Sequence, residues 1–313
     1  MFRKAIHPFL SFAWVFRSAL LGLLWWMPSP VFAANLLVVL SDSAPAYQAY
    51  AAGFRGSIEK RGSNVDVQVL ELRQLNGRPL PDANLLIAVG SRASEALIGR
   101  DLHQPLLLTM LPRTNLERLL AQQPKTGGIY IDQPAARYIA LVRAALPEIE
   151  RIGLLVGRDS KDTATRLQIA AREAHLRVQS ETIGGEGDIY PAMQRLFADG
   201  GALLATPDGS IFNAQTIPSI LLSAYRRGIP IVGFSPAYVS AGAVIALYST
   251  PEQLAAQSVD IALQVLAGGA IPGPQYPRHY TIGINERVAR SLGLTLEGET
   301  VIRERLERLE RQP

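Results

Sequence analysis

The sequence contains no cysteine and only four histidines. Without cysteine the chain forms no disulfide, no thiolate metal site and no thiol nucleophile, and it has no cysteine to carry a lipid anchor. Beyond His7, the histidines are His103, His175 and His279, and none of them is spaced from another histidine or a carboxylate as metal ligands are. The sequence therefore predicts neither a metal centre nor a cofactor.

Phosphate-binding loops and basic patches are also missing. No stretch has the spacing of a Walker-type loop, and Gly184-Gly185-Glu186-Gly187 lacks the spacing of a dinucleotide fingerprint. The 31 basic residues are scattered and stand against 27 acidic ones, whereas a nucleic-acid-binding protein concentrates its basic residues on one face. We expect no nucleic-acid partner. What is present is 48% hydrophobic residues over 313 positions, enough for one large domain or two lobes with separate cores.

Residues 1–33 differ from the rest of the chain. Two basic residues lie near the start, an apolar segment covers 19–27, and prolines and small residues lead up to Ala33, as in a secretory signal. A membrane anchor fits less well, because Arg17 splits the apolar stretch and neither half reaches the roughly 18 residues that span a bilayer. We predict cleavage near Ala33 and a soluble protein in a Gram-negative periplasm.

Beyond residue 33, apolar runs of strand length alternate with stretches of helical spacing. Such alternation predicts parallel sheets with right-handed crossovers. The pattern runs in two series, and the Pro/Gly-rich piece at 271–277 predicts a return between them. The predicted division is a first lobe of 34–126 plus about 248–278, a second lobe of 127–247 plus about 279–296, and an exposed charged helix at 297–313.

Small polar residues follow several of the predicted strands. The carboxyl ends of parallel strands share one edge of a sheet, where ligands bind in open α/β folds. Any one of these residues would ordinarily cap a helix, but six such loops together favour a cleft for a small zwitterion. The predicted ligand-binding residues are Ser41, Asp42, Ser43, Ser91, Arg92, Thr109, Arg158, Asp159, Asp208, Ser210 and Ser235.

Asp208 is the preferred partner for a ligand ammonium group. It follows the buried-type run at 202–205 and has no Lys or Arg beside it in the sequence. Arg92 or Arg158 could meet a ligand carboxylate, although either could equally be a surface charge.

The segment Gly233-Phe234-Ser235-Pro236-Ala237 is placed as a hydrolase nucleophile elbow would be, with Asp260 and His279 following in the order of α/β-hydrolases. In that mechanism the residue after the nucleophile donates its N–H to the oxyanion, and Pro236 has no N–H. Loss of one oxyanion donor costs about 100-fold or more in rate. We interpret the loop as presenting a hydroxyl to a ligand, with a secreted serine hydrolase using Ser235 as an alternative.

Several segments together resemble a known family. They are Leu146-Pro147-Glu148-Ile149-Glu150-Arg151-Ile152-Gly153-Leu154-Leu155, Pro207-Asp208, Arg227-Gly228-Ile229-Pro230-Ile231-Val232-Gly233, Val239-Ser240-Ala241-Gly242-Ala243, Ile284-Asn285, Ala289 and Leu292-Gly293-Leu294. From about Asn35 to Leu296 the chain resembles the substrate-binding proteins of ABC transporters with the type I periplasmic fold, in the branch of tryptophan/tyrosine-type uptake receptors. Two departures are a compressed region between Lys60 and Leu85, and Ala34 where many relatives have a lipid-anchored cysteine.

The resemblance implies two Rossmann-like α/β lobes with parallel sheets, joined by three crossing segments. It implies a receptor, not an enzyme, that closes by hinge motion over a small organic solute such as an amino acid and delivers it to a membrane permease. On this basis Asp208 and the Ser235 loop belong to the second lobe's face of the cleft, and Ser41–Ser43 with Ser91 to the first lobe's face. We expect a monomer. The alternative within this fold is an accessory or sensor protein that signals to a membrane partner other than an ABC permease.

Overall fold

The computed structural model describes residues 34–75, 78–123 and 125–311, so the predicted signal peptide lies outside the described residues. The chain begins with β1 (Ala34–Leu40), α1 (Pro45–Lys60), β2 (Val65–Glu71), α2 (Leu72–Leu75), β3 (Leu85–Val89), α3 (Ser91–Ile98), β4 (Leu106–Leu111), α4 (Arg113–Leu120) and β5 (Thr126–Tyr130). It continues with α5 (Ala135–Ala145), β6 (Arg151–Val156), α6 (Lys161–Glu173), β7 (Arg177–Thr182), α7 (Glu186–Leu196), β8 (Ala202–Leu204), α8 (Ile217–Arg226), β9 (Ile231–Gly233), α9 (Pro236–Ala241) and β10 (Ile245–Tyr248). It ends with α10 (Pro251–Leu266), β11 (Thr281–Ile284), α11 (Glu286–Ser291) and α12 (Glu299–Glu310).

The first lobe is built on a parallel sheet of strand order β2-β1-β3-β4-β5. Its inner strands are almost entirely apolar because helices cover both faces, and every residue of β3 is buried. Helix α1 turns Tyr50, Phe54 and Ile58 toward the sheet at helical spacing. Helix α10 packs against α1, so this late segment of the chain belongs to the first lobe.

The second lobe is built on a sheet of order β11-β10-β9-β8-β6-β7, parallel except for β11. One core lies between the sheet and helices α5, α6 and α12. The other lies between the sheet and helices α7, α8 and α9. The sheet is therefore covered on both faces, as the near-continuous apolar runs of β6 and β8 require.

The chain passes between the lobes after β5, after β10 and before β11, and hydrogen bonds tie these three crossings together. The Gln133 amide donates to the Ser249 hydroxyl at 2.8 Å, and that hydroxyl donates to the His279 carbonyl at 2.6 Å. The Arg137 guanidinium donates to the side chain of Gln133 at 2.8 Å and to the carbonyl of Pro277 at 2.9 Å. The crossings thus form one linked hinge region.

Two parts of the predicted division differ from the structure. The sequence assigns residue 127 onward to the second lobe, but β5 pairs with β4 and belongs to the first sheet. Glycine allows this placement, because a Cβ on Gly127 would lie 2.5 Å from the carbonyl oxygen of Pro272. The first lobe therefore extends to about residue 131.

The C-terminal helix is the second difference. The sequence predicts an exposed charged helix at 297–313, yet Ile302 and Leu306 of α12 are fully buried in the core beneath α5. These two residues are four apart and share one face, while most of the charged residues of the helix lie on the exposed face. Helix α12 is thus an integral part of the second lobe. No helix among the described residues is long and apolar enough to cross a membrane.

Candidate functional site

The carboxyl edges of the two sheets approach each other on either side of the hinge. Arg113 follows β4 of the first lobe, and Asp162 lies in the first turn of α6, just after β6 of the second lobe. The Arg113 guanidinium donates to Asp162 at 2.8 Å. This contact places the strand-end loops of both lobes along one interlobe cleft.

On the first lobe, three of the predicted residues, Ser41, Asp42 and Arg92, make hydrogen bonds or ion pairs on the same edge of the sheet. The Ser41 hydroxyl donates to the Val89 carbonyl at 2.8 Å and accepts the Ala93 N–H at 3.0 Å, which joins the end of β1 to the start of α3. Asp42 accepts the Ala44 N–H at 2.8 Å and pairs with Arg92. The Ala44 hydrogen bond, followed by Arg92, lowers the pKa of the Asp42 carboxyl.

Ser43 and Ser91 complete the predicted set on this edge. Ser43 is exposed, and Ser91 is half-buried as the first residue of α3. Tyr47, which is not among the predicted residues, lies on the same edge, with its hydroxyl close to Gly90 and Ser41. A Cβ on Gly90 would stand 2.5 Å from the Tyr47 hydroxyl and 2.7 Å from the Ser41 hydroxyl, so Gly90 is needed for this close approach. Burial, followed by the charge of Asp42, raises the pKa of Tyr47.

On the second lobe, Asp208 is buried at 1% exposure. Its carboxylate accepts the Ser160 hydroxyl at 2.7 Å, the Ser210 N–H at 3.0 Å and the Ser210 hydroxyl at 2.5 Å. Burial opposes the charge, but the hydrogen bonds from Ser210 and Ser160 outweigh it and lower the pKa of Asp208. No Lys or Arg among the described residues pairs with this carboxylate. Asp208 therefore holds its own loop against the end of β6.

The remaining predicted residues are dispersed. Thr109 is fully buried within β4, and its hydroxyl has no hydrogen-bond partner among the described residues. Arg158 and Asp159 are exposed on the loop after β6. Ser235 is half-buried immediately before α9, at the end of β9.

The residues of the alternative hydrolase triad are not assembled. Ser235 lies on the second lobe, whereas Asp260 lies on α10 of the first lobe and pairs with Arg61 at 2.5 Å. His279 lies in the third crossing and takes part in the hinge through its carbonyl group. Among the described residues these three share no hydrogen bond, which a triad needs between nucleophile and base.

A charged cluster at the base of the cleft was missed by sequence reasoning. The Arg113 guanidinium donates to Glu117 at 2.6 Å as well as to Asp162, and its backbone N–H donates to Asp132 at 2.6 Å. Arg166 donates to the same oxygen of Asp162 at 2.9 Å. Burial disfavours the charge of Arg113, but the interactions with Glu117, Tyr276 and Tyr130 together outweigh burial, so the pKa of Arg113 is raised. Burial also raises the pKa of Asp132.

The rule that polar residues directly after a strand line the cleft could have identified this cluster, but β4 extends further than its sequence pattern predicts. The apolar run predicts a strand over residues 105–109, whereas β4 reaches Leu111 through a bulge at Met110, which has a φ of 57°. Pro112 and Arg113 are thus the residues that follow the strand. Asp132 likewise lies shortly after the end of β5.

Two α/β lobes, three tied crossings and a polar cleft between the carboxyl edges of their sheets define a hinged two-lobe binding protein. The family model for the ABC transporter substrate binding protein matches residues 62–305. The chain belongs to this family. Its general role is that of an ABC-type solute-binding protein, as the sequence resemblance predicted. Comparison with the curated proteins gives no match.

Solved structures share the fold. A conserved domain protein of Vibrio cholerae is 19% identical, covers 87% of this chain and 98% of its own, and has a TM-score of 0.62. An ABC domain from Streptococcus pneumoniae in complex with L-Trp is also 19% identical, covers 87% of this chain and 98% of its own, and has a TM-score of 0.62. A ligand-free, open substrate-binding protein with adhesive properties from Clostridium difficile is 16% identical, covers 85% and 97%, and has a TM-score of 0.69. These likenesses confirm the two-lobed type I periplasmic fold.

Proposed function

We propose that this protein is an exported periplasmic receptor that captures an amino-acid-like zwitterion between its two lobes and delivers it to an ABC permease. One arrangement supports this proposal above all: the carboxyl edges of the two sheets, both lined with polar residues, face each other across the linked hinge. A ligand held between such edges contacts both lobes, and only a ligand that contacts both favours closure over opening. The predicted signal at 1–33 supports export.

The chemistry of the edges supports a zwitterion. The first lobe offers the hydroxyls of Ser91 and Tyr47 beside the Asp42–Arg92 pair. The second lobe offers Ser210 and Ser235 at the ends of neighbouring strands. Donors suit a ligand carboxylate, and acceptors suit its ammonium group. The L-Trp found in the Streptococcus pneumoniae relative is consistent with this class of solute.

The receptor acts without catalysis and as a monomer. Support for a binding role comes from the family and from the separation of Ser235 from Asp260 and His279. An accessory or sensor role remains the alternative, since lobe closure could be read by a membrane protein other than a permease.

A thermal-shift screen tests the proposal. The exported protein is screened against the twenty L-amino acids, D-glucose, D-arabinose and putrescine. A ligand at 100 times its Kd adds about 2.7 kcal/mol of stability, which gives a clear shift. We expect at least one amino acid to stabilise the protein. A flat response to every solute would contradict the receptor function.

Uptake of the labelled hit in cells separates the receptor from the sensor. Deletion of the gene should abolish high-affinity uptake if the protein serves an ABC importer. Unchanged uptake together with confirmed binding would favour the sensor role.

A further inference from the structure

Asp162 lies between two arginines that belong to different lobes. One oxygen of its carboxylate accepts from Arg113 of the first lobe at 2.8 Å and from Arg166 of the second lobe at 2.9 Å. Arg166 lies one turn further along the same helix as Asp162, whereas Arg113 is 49 residues away in the sequence. A single carboxylate oxygen therefore already bridges the cleft in this structure.

The space beside this contact is a small interlobe cavity. Its lining combines the two guanidinium groups with a half-buried carboxyl, an amide and an aromatic ring, contributed by Arg113, Arg166, Asp132, Gln133, Pro207 and Tyr276. The Arg113 side chain is only 11% exposed, while that of Arg166 is 46% exposed and that of Asp162 is 51% exposed. Arg113 is thus fixed in place, and Asp162 is free to move toward solvent.

Arg113 is held by several contacts of the first lobe. Its guanidinium lies over the ring of Tyr130 at 5.6 Å and donates to Glu117, which also accepts the Tyr130 hydroxyl at 3.1 Å. Tyr276 packs against Tyr130 with ring centroids 4.8 Å apart. An arginine oriented in this way presents its remaining N–H groups to the cleft at little cost in conformational entropy.

We infer that Arg113 and Arg166 form the carboxylate-binding site of the solute, and that Asp162 occupies this site until a solute carboxylate displaces it. The inference rests on the proposed receptor function and names the side chains that bind the carboxylate of the solute. Asp162 places one oxygen between the two guanidinium groups. A free carboxylate brings two oxygens and can give one to each arginine, and such charge-assisted hydrogen bonds are among the strongest in proteins.

The charges around the cavity specify the rest of the solute. Arg113 and Arg166 face three carboxyl groups, those of Asp162, Glu117 and Asp132. A simple anion would add negative charge to a cluster in which carboxyl groups already outnumber guanidinium groups. A zwitterion instead brings its own ammonium group, and the carboxyl of Asp132 faces the same cavity as its acceptor. The site therefore selects amino acids over inorganic anions and neutral sugars.

Displacement of Asp162 also couples binding to closure. Because each lobe supplies one arginine, a carboxylate held by both binds the closed arrangement more tightly than the open one, which is the condition for a shift in population. In the unliganded protein Asp162 is the carboxylate that contacts both arginines, and its contact is weaker because it is exposed to solvent.

The test uses matched ligand pairs. Each amino acid that binds the wild-type protein is compared by calorimetry with its C-terminal amide, which keeps the ammonium group and the side chain and lacks the negative charge. We expect the amide to bind about 30-fold or more weakly, the scale on which a buried charged partner is lost. In Arg166→Ala the affinity for the acid should fall strongly and the affinity for the amide should change little. The ratio of the Kd of the amide to the Kd of the acid should therefore fall toward one.

Control variants separate this role from general damage. Arg172→Ala removes an exposed arginine from the same helix and should leave the ratio unchanged. Asp162→Asn removes the internal competitor and should tighten binding of the acid several-fold without affecting the amide. Arg113→Lys keeps the charge but loses the fork, and should lower the ratio without unfolding the buried position.

The outcomes are distinct. An amide that binds as tightly as its acid, an unchanged ratio in Arg166→Ala, or hits confined to sugars and putrescine would overturn the carboxylate site while leaving a solute receptor in place. Failure of every solute to bind would overturn the receptor function and this inference together.

Discussion

Two carboxylates of the second lobe, Asp208 and Asp162, follow strand ends on the same edge of the sheet and have opposite surroundings. Asp208 is 1% exposed, and its partners Ser160 and Ser210 belong to its own lobe. The Asp162 side chain is 51% exposed, and one of its partners belongs to the other lobe. A carboxylate satisfied within one lobe stabilises a loop. One that bonds across the cleft is linked to how the lobes are arranged.

Replacing Asp208 should give the largest effect. Asp208→Ala leaves the Ser160 hydroxyl and the Ser210 N–H without an acceptor in a buried site, and we expect the free energy of unfolding to fall by about 3 kcal/mol. Urea denaturation measures the change. Asp159→Ala, on the exposed loop of the same edge, is the control and should stay within about 0.5 kcal/mol. Equal effects for the two variants would remove the contrast between buried and exposed carboxylates.

Acidification should reduce the difference in the free energy of unfolding between the wild-type protein and Asp208→Ala, which is called the gap below. The folded pKa of Asp208 lies below the ordinary value of 3.8, so its ionised form contributes stability that is fully present above that value. The contribution is lost as the pH falls through the lower, folded pKa. Unfolding measured from pH 7 to pH 2.5 should show a constant gap down to about pH 5 and a shrinking one below. A gap that widens in acid would show that Asp208 is protonated in the folded protein.

Removing one donor should cost less than removing the acceptor. Ser160→Ala deletes the hydroxyl that bonds both Asp208 and the Gly157 N–H, and should lower the free energy of unfolding by about 1–2 kcal/mol. The same denaturation assay measures it. Ser43→Ala, at an exposed position of the first lobe, provides the matched comparison and should be neutral. A neutral Ser160→Ala would show that Asp208 does not depend on this bond.

Asp162→Asn should have the smallest effect on stability, within about 0.5 kcal/mol, because exposed ion pairs contribute little. Its effect should appear instead in the arrangement of the lobes. Small-angle scattering of the unliganded variant should show a slightly larger radius of gyration than wild type, since the contact to Arg113 is weakened. A large loss of stability with unchanged scattering would make Asp162 a structural residue like Asp208.

The sequence predicts the local elements well and their partners less well. The sequence pattern predicts a strand over residues 85–89 and a helix over residues 251–266, and β3 and α10 have these bounds. Burial on both faces and Pro or Gly boundaries are local signals, so the pattern contains them. No local pattern predicts the bulge at Met110, and without the bulge Arg113 is not recognised as a residue that follows the strand. The glycines of β5 suit either sheet by pattern, and only pairing with β4 decides.

The candidate site was only partly predictable for a related reason. The buried strand β8 predicts the loop of Asp208, but no local pattern shows that Ser160 and Ser210 donate to its carboxylate. The contact of Arg113 with Asp162 joins residues 49 positions apart on two lobes, and no local pattern encodes it.

The central claim is that a solute carboxylate held by Arg113 and Arg166 closes the lobes. Because the chain has no cysteine, Gln48→Cys and Ala214→Cys place two fluorophores on exposed positions at the two edges of the cleft. Energy transfer between them should rise when a binding amino acid is added, and should rise little with its amide or in an Arg166→Ala background. Saturating binding of the acid with no change in transfer would contradict the account.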